Sequence, residues 1–148
     1  MNTTQLLTLV ETLPELKLYF RGVFASDTLP DRVRQFPSAV ICNTDPIHKK
    51  GTHWIAYWFD NDNECEFFDS FGRKPGEYDI HLQEFIDRNA LLCLYNNIQV
   101  QSDSDTSCGL HVLFYLYCRA KGISMASVIR VTSETLIRDV ILKGNRIL

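Results

Sequence analysis

The sequence predicts an α+β fold in which a small, mostly antiparallel β-sheet lies between helices. Three short apolar segments with strand character follow one another within residues 39–71, and a polar hairpin turn, Asp60 to Asn63, joins the last two. The middle segment, His53 to Phe59, is apolar on both alternating faces, which is typical of a central strand covered on two sides. Later segments with helical periodicity supply that cover.

The first part of the chain is interpreted from spacing and from its prolines. Thr4 to Leu13 has leucines and a valine at helical spacing, begins behind a threonine cap (Thr3 or Thr4) and stops before a proline, so it predicts a short amphipathic helix. Leu16 to Phe24 is expected to be extended. Ala25 to Pro37 is expected to be a loop, because prolines stand at its turn positions.

The remaining elements follow from hydrophobic periodicity. Four segments have the strand pattern: Ala39 to Asn43, His53 to Phe59, Cys65 to Phe71 and Asn97 to Gln101. Three segments have the helical pattern, and the last two are followed by a glycine that can end a helix: Glu77 to Ala90, Cys108 to Lys121 and Glu134 to Lys143.

Composition limits the classes of function. No repeat, low-complexity tract or linker divides the 148 residues, so a single domain over 1–148 is expected. The net charge of −3 provides no global basic field, and strong DNA binding is therefore not expected. No apolar run approaches the roughly 18 residues of a membrane helix, and no charged secretory start is present. An intracellular monomer without a membrane partner is expected, since no sustained heptad is evident either.

The five cysteines are odd in number and widely spaced, without a CxxC pair or a Cys/His cluster at zinc spacing. We therefore expect no disulfide framework, no metal site and no cofactor. In a reducing compartment most such cysteines are small buried apolar residues.

Cys108 differs from the other cysteines in its surroundings. It follows the polar run Ser102 to Ser107 and precedes Gly109 at the start of an apolar helix. The N-terminus of a helix favours a thiolate, and its free backbone N–H groups can hold an oxyanion. The local sequence leaves two interpretations equally open, a nucleophile and an unreactive cysteine near a helix cap.

A base for this thiol is sought among four histidines. His111 lies on the same helix and its ring leans back along its own face, His48 lies among lysines in an exposed loop, and His81 begins a surface helix. His53 begins the most buried strand, where the backbone is rigid and the ring can still reach the end of the sheet.

A catalytic imidazole also needs an acceptor that fixes its tautomer. In a hairpin centred on Asn61, residues whose numbers sum to 122 face each other, so His53 faces Asp69. A loop of three or five residues gives this register, whereas an even loop without a bulge sends Asp69 to the other face. The alternative is that Asp69 caps the turn Ser70 to Gly72. Upstream of Cys108, Gln99 or Gln101 can donate to an oxyanion, or either can be a polar residue at a strand end.

Several motifs together resemble a known family. The runs Gly51 to Trp54 and Phe67 to Gly72, with Gln101 seven residues before the pair Cys108-Gly109, resemble the adenovirus-type cysteine protease family, which is related to the SUMO and ubiquitin-like proteases. The order of histidine before cysteine differs from that of papain-like enzymes.

The resemblance extends upstream and has structural consequences. Tyr19 to Phe24 and Ala39 to Thr44 are similar to the amino-terminal part of the proteases of Polinton-like elements and related DNA viruses, so the similarity covers about Tyr19 to Arg119. It implies the adenoviral and ubiquitin-like-protease variant of the papain-like cysteine protease architecture.

The resemblance also assigns roles. Cys108 would be the nucleophile, His53 its base, Asp69 the orienting carboxylate and Gln101 the donor to the oxyanion. Substrate binding is assigned to Trp54 and Gly109; for Trp54 the alternative is a core aromatic that faces away from His53.

Three departures limit what the resemblance implies. The adenoviral enzyme has a glutamate where this chain has Asp69, and this chain is much shorter. The adenoviral enzyme is activated by DNA and by a viral peptide joined through a disulfide. Here an activating peptide is expected among the partners, with Cys93 as a candidate linking thiol and a buried core cysteine as the favoured alternative. A basic patch that could bind DNA is limited to Lys49, Lys50, Arg73 and Lys74.

The function implied is that of a thiol endopeptidase cutting capsid precursor proteins of a virus or mobile element during maturation, with small residues such as glycine near the cut. It would act in the host cytoplasm or nucleus, or packaged in the virion. The alternatives are a protease that removes ubiquitin-like modifiers and an inactive relative used as a binding module. The presence of all four expected residue types argues against the inactive relative.

Overall fold

The structure is a computed structural model that describes residues 1–102, 107–131 and 133–144. The middle of the polar run before Cys108 and the residue at 132, expected just before the last helix, lie outside the described residues. The strands are β1 (Phe20–Phe24), β2 (Ser38–Asn43), β3 (Trp54–Phe59), β4 (Glu64–Phe68) and β5 (Leu92–Tyr95). The helices are α1 (Thr3–Glu11), α2 (Pro14–Lys17), α3 (Ile80–Asn89), α4 (Cys108–Ala120), α5 (Met125–Val128) and α6 (Glu134–Ile141).

The five strands form one mixed sheet in the order β1-β2-β3-β4-β5. β3 pairs antiparallel with both β2 and β4, as expected, while the edge strands β1 and β5 run parallel to their neighbours. β3 lies at the centre and is buried at all six positions, because its two apolar faces pack against different helices. The α+β architecture with a covered central strand is confirmed.

Each face of the sheet has its own hydrophobic core. One face packs against α4, with α1, α2 and α6 around it, and the other packs mainly against α3. α4 is buried from Gly109 to Cys118, which agrees with its nearly all-apolar sequence. None of the helices in the described part of the chain is both long and apolar enough to cross a bilayer.

Several element boundaries differ from the prediction. The fifth strand is Leu92–Tyr95 and not residues 97–101, because residues 92–95 are the ones that reach the backbone of β4. The sequence does not predict this strand, because an edge strand need not have the alternating apolar pattern of a buried face. Leu92 and Leu94 in β5 are about half exposed. α1 is capped by Asn2 and not by a threonine. The segment from Leu16 was expected to be extended, but Leu16 and Lys17 end the short helix α2, and the strand begins only at Phe20.

A polar network crosses the interface between the sheet and α4. The Glu66 carboxylate on β4 accepts hydrogen bonds from the Tyr115 hydroxyl (2.5 Å) and from the Arg119 guanidinium (3.0 Å). Arg119 also pairs with Asp60 at 3.2 Å and lies over the Trp58 ring. The Glu66 and Arg119 side chains are each 13% exposed, so the ion pair is largely shielded from water.

This network should contribute to stability. We expect Arg119→Ala to lower the free energy of unfolding by about 2–3 kcal/mol, because it leaves the Glu66 carboxylate largely buried without its cation. The exposed pair of Arg138 with Glu134 provides the control, and Arg138→Ala should change stability by less than about 1 kcal/mol. Urea denaturation of both variants is the measurement, and equal losses would contradict the role of the network.

Candidate active site

A cleft of about 680 Å³ lies where β3 begins and α4 begins. His53, Trp54, Gln101 and Cys108 line it, and the first residues of the chain form part of another wall. The fold therefore brings to one place side chains that are separated by up to 55 positions in the sequence, while Asp69 lies behind His53.

His53 and Asp69 form a buried hydrogen-bonded pair. The His53 Nε2 atom lies 2.6 Å from Asp69 Oδ1, and the Asp69 side chain has no exposed surface. The predicted contact is present, but the predicted register is wrong. Tyr57 pairs with Phe67 and Phe59 with Cys65, so the hairpin is centred one residue later, at Asp62. The two side chains meet because β4 ends at Phe68 and the chain turns there toward His53.

Two further groups hold the Asp69 carboxylate. The backbone N–H of Phe71 donates to Asp69 Oδ1 at 2.9 Å, and the Tyr78 hydroxyl donates to Oδ2. Burial, together with the hydrogen bond to Asp69, raises the pKa of Tyr78, which keeps its hydroxyl protonated as a donor. The Phe71 ring stacks on the imidazole of His53 with centroids 4.6 Å apart. Sequence reasoning missed Tyr78, since a lone tyrosine before a helix carries no local signal.

The remaining imidazole contact is with the Cys108 thiol. Burial alone would lower the pKa of His53, but hydrogen bonds to Asp69 and to Cys108 outweigh it and raise that pKa to about 9. Burial opposes the charged form of Cys108, yet hydrogen bonds from His53 and from the backbone of Trp54 lower the pKa of the thiol. The two shifts favour a thiolate–imidazolium pair near neutral pH.

The electrostatics single out this cysteine. Burial raises the pKa of Cys42 far above its ordinary value and that of Cys118 to about 12, while the hydrogen bond between Cys65 and Cys93 raises the pKa of Cys65. The pKa of Cys108 is shifted in the opposite direction, below the ordinary value of a thiol. No group of three or more potential metal ligands occurs in the described part of the chain.

Gln101 is oriented by a residue that the sequence did not suggest. Its side chain is 2% exposed, and its Oε1 atom accepts a hydrogen bond from the hydroxyl of Ser70. Because Oε1 faces Ser70, the amide nitrogen of Gln101 points away from Ser70. Gln99 lies outside the cleft, is exposed and contacts the backbone carbonyl of Gln101 at 2.7 Å. Of the two glutamines, Gln101 is therefore the one that lines the cleft with Cys108.

The two residues expected to bind substrate occupy different positions. Trp54 lines the cleft while packing into the core below it, and its indole N–H donates to the backbone carbonyl of Met1 at 2.8 Å. Gly109 lies beside the cleft and not in it; a Cβ added there would lie 3.2 Å from the Met1 side chain. The structure thus gives Gly109 a packing position against the start of the chain.

The ion pair makes a testable prediction about pH. Iodoacetamide should label Cys108 before the other cysteines at neutral pH, because its thiol ionises at lower pH. In His53→Ala the labelling curve should move up toward the ordinary thiol value of about 8.5, which reduces the rate at pH 6.5 at least about tenfold. His81→Ala, which removes an exposed histidine paired with Asp79, is the control. Identical curves for His53→Ala and the unsubstituted protein would contradict the pair.

The chain matches the adenovirus endoprotease family over residues 20–132. It is 30% identical over 108 residues to the SUMO-1 cysteine protease of African swine fever virus. The aligned region covers 65% of this chain and 39% of that protein. It is 33% identical over 90 residues to the protease of bovine adenovirus 4, covering 53% of this chain and 45% of that protein. The crystal structure of a protease of African swine fever virus is similar with a TM-score of 0.48 and 27% identity, covering 69% of this chain and 40% of the other.

The chain thus spans less than half the length of these curated relatives. The family match nevertheless includes most of this chain and all four candidate catalytic positions. On that ground the chain belongs to the adenovirus endoprotease family.

Proposed function

We propose that this protein is a cysteine endopeptidase that uses Cys108, His53 and Asp69 as a triad and Gln101 as a donor to the oxyanion. The observation that supports this most directly is the hydrogen-bonded series from Asp69 through His53 to Cys108, with the pKa of the thiol lowered and that of the imidazole raised. This pairing of charges is what a thiol nucleophile needs at neutral pH.

The first half of the reaction forms an acyl-enzyme. The Cys108 thiolate attacks the scissile carbonyl carbon, and the carbonyl oxygen becomes an oxyanion. The Gln101 amide and the backbone N–H of Cys108 at the start of α4 stabilise that charge. The His53 imidazolium then donates its proton to the leaving amine as the carbon–nitrogen bond breaks. Asp69 holds the imidazole in the required orientation throughout.

The second half restores the thiolate–imidazolium pair. Neutral His53 takes a proton from a water molecule, whose oxygen attacks the thioester carbon. The carbon–sulfur bond then breaks, which returns the Cys108 thiolate and releases the new carboxylic acid, and that acid loses its proton to solvent. Below the pKa of the Cys108 thiol the nucleophile is lost, and above a pH of about 9 the imidazolium that protonates the leaving amine is lost. A bell-shaped pH profile of turnover follows.

The oxyanion role can be tested separately from the triad. Gln101→Ala should lower kcat about a hundredfold, the usual effect of removing one oxyanion donor, without shifting the alkylation curve of Cys108. Gln83→Ala removes an amide of the same chemistry on α3, where it donates to Asp87 away from the cleft, and its effect on kcat should be within about twofold. Steady-state kinetics on a cleavable peptide supplies the comparison, and equal losses in the two variants would exclude the assigned role.

We propose capsid precursor proteins of a virus or mobile element as the substrates. The relatives with the protease chemistry are viral proteins, from African swine fever virus and from adenoviruses. Glycine near the cut, implied by the resemblance, suits a cleft lined by the large rings of Trp54 and Phe71. The proposed place of action is the host cytoplasm or nucleus, or the virion.

A second candidate is removal of a ubiquitin-like modifier. It is favoured by one observation, the name SUMO-1 cysteine protease carried by a relative 30% identical to this chain. The chemistry would be the same, and the difference lies in the surface that recognises the folded modifier.

One experiment decides between these substrates. The purified protein is incubated with the capsid proteins encoded beside it and, separately, with a ubiquitin-like conjugate, and new termini are mapped by mass spectrometry. We expect cleavage of the capsid precursors and no cleavage by Cys108→Ala. Release of the modifier alone would support the second candidate, and no cleavage of either substrate at any pH would support an inactive binding module.

The remaining partners are proposed from the surface. Lys49 and Arg73 lie around a depression beside His53 together with three carboxylates, Asp45, Glu77 and Asp79, which argues against strong DNA binding. An activating peptide would have an edge strand available at β5, although Cys93 packs beside Cys65 there. We also propose a single protease domain over 1–148, since α1 and α6 share one core around α4. The proposed oligomeric state is a monomer.

A further inference from the structure

Asn96 extends the sheet by means of its side chain. The backbone pairing of β4 with β5 ends at Phe67 and Tyr95, and Asn96 is the next residue. Its Oδ1 atom accepts a hydrogen bond from the backbone N–H of Asp69 at 3.0 Å, and its Nδ2 atom donates to the Asp69 carbonyl at 2.5 Å. The amide of Asn96 thus bonds both backbone polar groups of the residue that holds His53.

This contact is made where the position of the backbone matters most. β4 has already ended at Phe68, so the regular ladder no longer fixes the chain at Asp69. The carboxylate nevertheless has to lie within 2.6 Å of the imidazole nitrogen. Asn96 is 2% exposed, so water does not replace its hydrogen bonds. A misplacement of about 1 Å in a catalytic group can cost about a hundredfold in rate.

The same side chain is linked to the segment that carries the oxyanion donor. Asn96 Nδ2 also donates to the carbonyl of Ile98 at 3.2 Å, within the segment that returns to Gln101. The carbonyl of Ser70 accepts from the backbone N–H groups of Val100 and Gln101 at 2.8 and 3.0 Å. The orienting carboxylate and the oxyanion donor are therefore fixed against each other by adjacent residues, Asp69 and Ser70.

From this arrangement we propose that Asn96 is a positioning residue for the catalytic site: its amide sets the backbone of Asp69 and thereby the orientation of the His53 imidazole toward Cys108. The proposal rests on the proposed function, because it assigns Asn96 a role in the same thiol chemistry. The role is indirect, since Asn96 does not line the cleft.

A buried asparagine could instead serve stability alone, and the chain offers a matched control for that case. Asn89 is 8% exposed, accepts from the backbone N–H of Val33 at 2.8 Å and donates to the carbonyls of Asp31 and Phe85. It has the same chemistry as Asn96 and ties a loop to α3, where it contacts none of the candidate catalytic residues.

The test compares Asn96→Ala, Asn96→Ser and Asn89→Ala in the full chain. Thermal unfolding measures stability, and the pH dependence of alkylation of Cys108 by iodoacetamide measures the ion pair without a peptide substrate. We expect both alanine variants to lower the Tm. Only Asn96→Ala should shift the acidic limb of the alkylation curve to higher pH, by about one unit. On that limb the alkylation rate at a given pH then falls about tenfold. Asn96→Ser, which keeps one hydroxyl, should be intermediate.

A cleavable peptide provides the second measurement. Asn96→Ala should lower kcat about tenfold or more while KM stays within about twofold, as expected for a change that acts on the catalytic groups. An unchanged alkylation curve in either folded Asn96 variant, or the same shift in Asn89→Ala, would overturn the proposal. Failure of the unsubstituted protein to cleave any peptide would count against the proposed function, whereas the alkylation curves would still decide the role of Asn96.

Discussion

The burial of one carboxylate governs the organisation of this molecule. Asp69 has no exposed surface, and a carboxylate in such a place is stable only if donors surround it. The structure supplies the imidazole of His53, the hydroxyl of Tyr78 and the backbone N–H of Phe71. Each donor comes from a different stretch of chain. The hydrogen bonds to this one carboxylate therefore hold three segments together: the residue before β3, the turn after β4 and the segment before α3.

The turn after β4 also packs against the segment that leads to Gln101. Gly72 has a φ of +73°, and a Cβ there would lie 2.9 Å from the backbone nitrogen of Gln99. A larger residue would be strained by its backbone conformation and would also push away the segment that leads to Gln101. The Asp69 carboxylate, which bonds His53, and the Gln101 amide proposed to hold the oxyanion are consequently parts of one closely packed unit.

The surroundings of each cysteine decide whether its thiol ionises. Of the cysteines, Cys108 lies at a helix start beside a histidine that is itself held by a carboxylate, whereas Cys42 and Cys118 lie in apolar surroundings. Burial opposes ionisation at all three, and only Cys108 has hydrogen bonds strong enough to reverse the outcome.

The sequence by itself determined the fold class, the covered central strand and the candidate residues His53, Asp69, Gln101 and Cys108. These follow from periodicity, from helix-start chemistry and from motifs, all of which are local or ordered along the chain. Tertiary structure alone decided the register of the hairpin, the position of β5 and the contacts of Asp69 with Tyr78 and Asn96. Those depend on which backbone groups meet across the sheet, and a pairing between distant segments, such as Asn96 with Asp69, leaves no periodic trace in either one.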